Sequence, residues 1–550
     1  MNLNPIEQNP AFELTRKTTG GVNLVPSHHW ARNFSVSDDD IDYLTGLLLE
    51  RETPLSSADL ARALIEHRLN EQTAALQEQY KNVRFYNPAL SYDVGQKLMF
   101  PALDYRMAVV TAVRPGNNPE YGAFQVMQVE FDDESKGGSR PREFAHSLST
   151  SHRLAEEAEA GLAVLPGTSE LTTDDIIEAA GEEITEALED RLESNSDLVS
   201  VARKWFPRSL MLEVNDGHLN LAEAVLDLAA GGPLATAEIL EQIGGLGGEP
   251  EVLQEFCLND ALNNDIRFDE VGPVDKVLWF LKRLEPAEVL TPPSMLRYTP
   301  STYEEGLLTP EMLALEAEID DEWSNLKAPK GIAHEEVQLV LIYPHRRMGT
   351  LPLNNRLRRI FPTARRTDRV WVTLVDGQDG EEYPGWVVRE GRYVFGLTKL
   401  YRKHKLPVGA YVTVQRSEEP GKIIVNFLAH RPRTEWVRLL NVKDNQISFE
   451  DQKRAIGAEY DELMILGADD ITAVDTLHQV TQSQRKSLSA LLRMLIAELS
   501  RATPQNTVHA KTLYSALNVV RRCPPGPLFA ALLTNPDFEH VGNHYWKLSG

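Results

Sequence analysis

The chain has 550 residues, 42% hydrophobic and 25% charged, with 81 Asp/Glu against 56 Lys/Arg for a net charge of −25. That length implies roughly three to five domains, and the acidity excludes indiscriminate coating of nucleic acid, so DNA contact has to come from local patches. Two distant cysteines, Cys257 and Cys523, exclude a disulfide framework and point to a reducing cytoplasm; residues 1–30 lack the pattern of a signal peptide, and no apolar run approaches the ~18–20 residues of a membrane span.

Residues 1–35 are polar and read as a flexible tail. Helical periodicity begins at Ser37, with Asp38, Asp39 and Asp40 as helix-start charges and Ile41, Leu44, Leu47 and Leu48 on one face. Thr53-Pro54-Leu55-Ser56 breaks this helix, and Ser57 is expected to cap a second over Ala58–Arg68, giving a helix–turn–helix unit over 36–91. Residues 92–150 change to short strands (Tyr92–Leu98, Ala108–Val113, Phe124–Phe131), the pattern of a small SH3-like barrel. Asp104 with Glu134-Ser135-Lys136 has the residue types of a magnesium nuclease set, but Asp132–Gly138 has the composition of a hydrophilic turn, and no catalytic residue, metal or cofactor is assigned. Residues 151–197 form an acidic helical segment, either a solvated face or a cover for a basic surface elsewhere in the chain.

A winged-helix unit is expected over 198–286. Its turn, Pro233-Leu234-Ala235-Thr236-Ala237-Glu238-Ile239, matches Pro54-Leu55-Ser56-Ser57-Ala58-Asp59-Leu60, with Thr236 as the cap. Residues 287–335 hold Pro292, Pro293, Pro300 and Pro310 (Pro286 just precedes them) and clustered acids from Glu316 to Glu322, and read as a Pro-rich acidic linker. Residues 336–440 alternate β-rich runs with basic turns. From Arg346 to Arg438 about 19 Lys/Arg face about 9 Asp/Glu, either as solvated faces or as a nucleic-acid surface. His345-Arg346-Arg347 fills one turn, Arg389 and Arg392 flank another, and a short helix between Leu397 and Leu406 exposes Lys399, Arg402, Lys403 and Lys405. Arginine forks suit phosphate and guanine edges. After a helical connector over 441–483, with Phe449–Leu466 expected as helix, the C-terminal unit over 484–550 shows three helices and a hairpin. That is the winged-helix order, with His509, Lys511, Arg521 and Arg522 as candidate contacts.

Two resemblances sharpen this reading. Leu351-Pro352-Leu353, Phe361-Pro362, Leu374-Val375-Asp376 with Gly380 and Tyr383, Trp386, Tyr393-Val394-Phe395-Gly396 and Leu406-Pro407-Val408-Gly409-Ala410-Tyr411-Val412 occur in the order of the B3 DNA-binding pseudobarrel. The resemblance covers about 80 residues. Asp376 to Gly380 is one residue longer than in that family, and Ala410 stands where it usually has Asp. The resemblance implies two arms in the major groove, His345–Thr350 and Trp386–Arg392. The ending Phe538-Glu539-His540-Val541-Gly542…Trp546-Lys547-Leu548, echoed by Phe268…Val271-Gly272…Trp279, resembles the HARE-type helix–turn–helix.

The expected fold is therefore α+β and multi-domain, with winged-helix units, a small SH3-like barrel and a B3-like pseudobarrel. The expected function is duplex-DNA binding, regulatory or linked to DNA defence. The alternative is a protein-interaction scaffold with a partner such as RNA polymerase.

Overall fold

The computed structural model describes residues 34–549 except 81–83, 101–102, 104–105, 119–121, 132–140, 150–171, 275, 327–334, 365–366, 444–445, 485, 502 and 504. Asp104, Glu134 and Lys136 lie outside the described residues. The chain is a mixed α+β protein that divides into two compact units, residues 1–211 and 212–550. No helix among the described residues is long and apolar enough to cross a membrane.

In the first unit, Ser37 caps α1 (Asp38–Arg51) by a reciprocal bond with Asp40, and Arg68 of α2 (Ser57–Tyr80) clasps Asp40 in turn. Between the two helices lies β1 (Leu55–Ser56). Next come β2 (Arg84–Phe85), β3 (Lys97–Phe100), β4 (Arg106–Pro115), β5 (Gln125–Phe131) and β6 (Arg142–His146), hydrogen-bonded in sequence order. Ser147 and Leu148 N–H groups donate to the Leu90 and Pro88 carbonyls at 3.0 and 2.9 Å, drawing the end of β6 towards the loop after β2. This sheet interrupts a helical module. The acidic helix α3 (Thr173–Glu193) turns Ile176, Ala180, Ile184, Leu188 and Leu192 into the same core as Leu44, Leu48, Leu60 and Leu64. The hairpin β7 (Leu198–Val201) and β8 (Lys204–Pro207) completes it by pairing with β1. Residues 198–207, expected in the second helical unit, thus belong to the first, and 36–91 is only part of a module. The two parts are 90 residues or more apart in sequence, which hides their pairing from local pattern.

The second unit opens with the same succession: α4 (Asp216–Leu228), β9 (Leu234–Ala235), α5 (Thr236–Ile243), α6 (Glu251–Asn264), β10 (Phe268–Glu270) and β11 (Leu278–Leu281). Residues 287–326 are packed structure, not a linker. They carry α7 (Ala287–Leu290) and α8 (Pro310–Ile319) and bury Val289, Met295, Leu296, Leu308, Met312 and Leu315. A curled seven-stranded half-barrel follows. It contains β12 (Glu336–Val340), α9 (Tyr343–Met348), β13 (Thr350–Pro352), β14 (Arg369–Asp376), β15 (Glu382–Val388), β16 (Tyr393–Phe395), α10 (Thr398–Lys403), β17 (Tyr411–Arg416) and β18 (Lys422–Phe427). The strand order is β12-β17-β18-β14-β15-β16-β13, antiparallel except for β14 with β18. Alternation along β14 sends Val370, Val372 and Leu374 inwards, as the two-residue period of a strand requires.

Two long strands, β19 (Ala429–Lys443) and β20 (Gln446–Ala458), then pair with β21 (Leu466–Ala468) in a separate sheet. The expected helix over Phe449–Leu466 is overturned here. Gln452-Lys453-Arg454 carries helix-forming side chains, but strand pairing sets Lys453 over the Trp436 ring and Asp451 against Arg438 at 3.2 Å, while Arg454 meets Asp469 at 2.6 Å. The chain ends with α11 (Ile471–Ser483), α12 (Leu488–Ser500), β22 (Val508–His509), α13 (Ala510–Val520), α14 (Pro525–Thr534), β23 (Phe538–Gly542) and β24 (Tyr545–Leu548).

Three copies of one module are now visible, each a helix, a two-residue strand, two helices and a hairpin. Leu55, Leu234 and Val508 pair with Trp205, Trp279 and Trp546. Leu198, Phe268 and Phe538 pair with the residue two beyond each tryptophan. Ser57 and Thr236, expected as helix caps, instead accept the indole N–H of Trp205 at 2.9 Å and of Trp279 at 3.2 Å. The third copy has Ala510 at that position, and the buried Trp546 N–H lacks a partner among the described residues.

Candidate anion-binding site

Most of the basic residues read as DNA contacts are turned inwards. His345 is fully buried, its Nδ1 2.8 Å from the Thr350 hydroxyl and its Nε2 3.3 Å from Glu322. The segment expected as an exposed arm is instead α9, whose Tyr343, Pro344 and His345 are buried. Arg346 donates to the Leu406 carbonyl at 2.5 Å, and burial depresses its pKa. Arg347 pairs with Asp475 of α11 at 2.8 Å.

The C-terminal contacts meet acids from residues 316–322. Arg522 is fully buried and donates to Asp321 at 2.7 Å and to Glu322 at 2.6 Å. Burial pushes the Glu322 carboxyl up, but Arg522 and His345 outweigh it and hold the pKa at about 2. Asp321 is pushed upwards by burial against the pull of Arg522, and the Tyr514 hydroxyl donates to it at 2.5 Å. Lys511 pairs with Glu318 and, at 2.8 Å, with Asp461. His509 is the cap of α13, accepting the Lys511 N–H at 3.1 Å; burial first, then His544 and Lys511, lower its pKa to about 4. Arg521 donates to the Lys486 carbonyl at 2.7 Å. The outward face of α13 is therefore an internal interface. Such buried pairs hold only while both partners remain, since a lone buried charge is costly.

On α10, Lys399, Arg402 and Lys403 lie at the surface as expected. Lys403 is committed: its ammonium meets Asp376 at 3.1 Å, Glu381 at 2.7 Å and Asp379. Asp376, Asp379 and His404 are the one group among the described residues with metal-ligand spacing. The Lys403 charge already sits on two of its members, and His404 bonds Asp376 at 2.6 Å, so these residues do not fit a metal ion.

Arg389 and Arg392 form a cluster with Arg358. They flank the turn after β15, and the Leu353 N–H donates to the Arg392 carbonyl at 2.8 Å, fixing that turn against the segment leading to Arg358. Arg389 reaches the Phe361 and Pro362 carbonyls at 3.3 and 2.5 Å. Arg392 takes a left-handed φ of 57°, donates to the Glu322 carbonyl at 2.9 Å and lies 4.4 Å over the Trp323 ring. Arg358 stands in the 3-10 turn Leu357–Arg359. None of the three guanidinium groups has a carboxylate partner among the described residues. Burial and then the Arg392 charge lower the Arg358 pKa; burial and then the Arg358 charge lower that of Arg389. Half-buried like charges of this kind repel until an anion enters among them.

Arg358 is not among the residues that sequence reasoning singles out. Its signal is the Arg356-Leu357-Arg358-Arg359 run ahead of Phe361-Pro362, where Arg356 pairs with Asp320 at 2.5 Å and Arg358 does not. No protein-family model matches the sequence, and neither a curated protein nor a solved structure matches it.

Proposed function

We propose that the protein binds duplex DNA, with the Arg358–Arg389–Arg392 cluster seated on backbone phosphate. The observation that carries this reading is three clustered guanidinium groups with no carboxylate partner among the described residues, in a chain of net charge −25. Arginine forks bind phosphate oxygens in a bidentate manner, and phosphate contacts fix a protein on DNA. In this reading the half-barrel is the B3-like pseudobarrel, with one arm over Trp386–Arg392 and the other replaced by the 354–362 segment. The three modules are winged-helix units of HARE type, and the setting is regulation or DNA defence in the cytoplasm. Lys399 and Arg402 at the surface add long-range attraction.

The modules themselves favour a second role. Between Leu212 and Ile266 there are eleven acids and no Lys or Arg, and the α13 cations are internal. These units serve better as protein contacts, with RNA polymerase as one partner of the expected kind.

The test is fluorescence anisotropy with a labelled duplex. Replacing Arg358, Arg389 and Arg392 together by alanine is expected to weaken binding by on the order of a hundredfold at low salt, at roughly 1.5–3 kcal/mol per charge-assisted contact with non-additivity allowed for. A triple variant that binds duplex as the parent does would refute the reading and favour the scaffold.

A further inference from the structure

The 357–362 turn that carries Arg358 has a second side. There a cleft of about 460 Å³ opens on the outer face of the half-barrel. Trp371 and Thr373 of β14, both half-buried, form its floor with Ile423 of β18. Ile360 and Pro362 of the turn make one wall, and Pro273 with Leu278 of the middle module makes another. Trp371 is held in place, its backbone N–H donating to the Val271 carbonyl at 2.8 Å and its ring packed against the cluster of Phe280, Trp386 and Val388.

The charges at the rim separate into two kinds. Lys422 is committed, with Glu382 and Glu419 each at 2.6 Å. Arg416 bonds only carbonyls, Ile360 at 2.8 Å and Arg359, and Lys276 is exposed. Neither has a carboxylate partner among the described residues. An aromatic floor with proline walls accepts a flat ring, and two uncommitted cations at the edge accept an anion attached to it. A proline-rich peptide would use the floor and leave the cations without a role. The volume suits one nucleotide, and base–aromatic stacking tolerates every base because each has a π-face.

We propose that this cleft takes a single unstacked nucleobase on Trp371, with its phosphate against Arg416 and Lys276. The inference deepens the nucleic-acid reading and rests on it for the polymer. Arg389 of the phosphate cluster donates to the Phe361 and Pro362 carbonyls and Arg416 of the cleft to that of Ile360, so both sites adjoin one turn and a strand crossing it can reach both. Enzymes and readers that extract a base lose stacking within the duplex, least at a mismatch or in a single strand; mismatched and single-stranded sites are therefore the preferred ligands.

The test titrates the full-length protein with each of the four deoxynucleoside monophosphates by calorimetry. Saturable binding is expected, weakened about tenfold or more by Trp371→Ala and only a few-fold by Trp371→Phe, which keeps a stacking ring. Lys276→Glu, an exposed change that leaves the floor intact, is expected to weaken it several-fold and decides the matter if Trp371→Ala does not fold. Absence of saturable binding at millimolar nucleotide, or equal binding by Trp371→Ala and Lys276→Glu, overturns the inference, as does Trp371-dependent binding of a proline-rich peptide without nucleotide binding. Nucleotide binding without duplex binding would contradict the proposed function alone. Duplex binding that needs the three arginines, without nucleotide binding, would contradict the cleft alone.

Discussion

The α13 face and the loops at the end of the half-barrel hold similar side chains in opposite conditions. Arg522 is fully buried between Asp321 and Glu322; Arg358, Arg389 and Arg392 lie close enough to repel one another and have no carboxylate partner among the described residues. The first arrangement is complete in the folded chain, and the second needs an anion from outside. Basic sequence alone does not separate the two. The separation comes from residues 316–322, whose carboxylates reach Lys511, Arg522 and Arg356, whereas to Arg392 Glu322 offers a carbonyl and the adjoining Trp323 an aromatic ring instead of a charge.

The largest effect is expected from Arg522→Ala. Removing the cation strands two buried carboxylates, so the unfolding free energy should fall by about 3–5 kcal/mol, read as a lower denaturant midpoint. Arg389→Ala should leave that midpoint nearly unchanged or raise it slightly, because it relieves repulsion. Equal losses from both variants would mean that the half-barrel arginines are structural too.

A second test uses pH. Arg369, another basic residue of the half-barrel, meets Asp269 and lies 3.5 Å from the fully buried Glu285 carboxylate. Burial first, then the Asp269 charge, raises the Glu285 pKa from 4.5 to about 8. The folded state therefore holds a proton that the unfolded state has released between these values. The stability this gives is complete below pH 4.5 and is lost as pH rises through about 8. His509, lowered from 6.5 to about 4, acts in the other direction, costing stability as pH falls through that window. Unfolding midpoints measured from about pH 5 to 9 should show the alkaline loss in the parent, and Glu285→Gln should flatten it. An unchanged alkaline limb in that variant would remove Glu285 from the account.

The smallest expected effect sharpens the claim that α13 is structural. Ala510→Ser supplies the hydroxyl that Ser57 and Thr236 give to their tryptophans, and should stabilise by about 1 kcal/mol through the Trp546 N–H. A destabilised Ala510→Ser would show that the third copy has closed around its alanine.

Much of the fold is legible in the sequence. The Phe…Trp endings and the turn proline of the first two copies mark two module ends and two short strands, and β-branched runs mark β14 and β17. The strand β20 is not legible, because its charged residues find their partners across a hairpin and not along a helix face. The candidate site is half legible. Arg389 and Arg392 stand out beside Gly391, whereas the fate of Arg522 depends on acids 200 residues away, and the sheet inserted between α2 and α3 splits one module across the chain. Hydrophobic and turn patterns are local; ion pairing inside a packed interface is not.

Duplex binding through the Arg358–Arg389–Arg392 cluster requires that it neutralise DNA phosphate. The most direct measurement is the slope of log K against log salt for a labelled duplex, for the parent and for the triple alanine variant. A steep negative slope is expected in the parent, becoming shallower by about 0.9 for each phosphate the variant no longer neutralises. Identical slopes, or duplex binding that does not respond to salt, would contradict it.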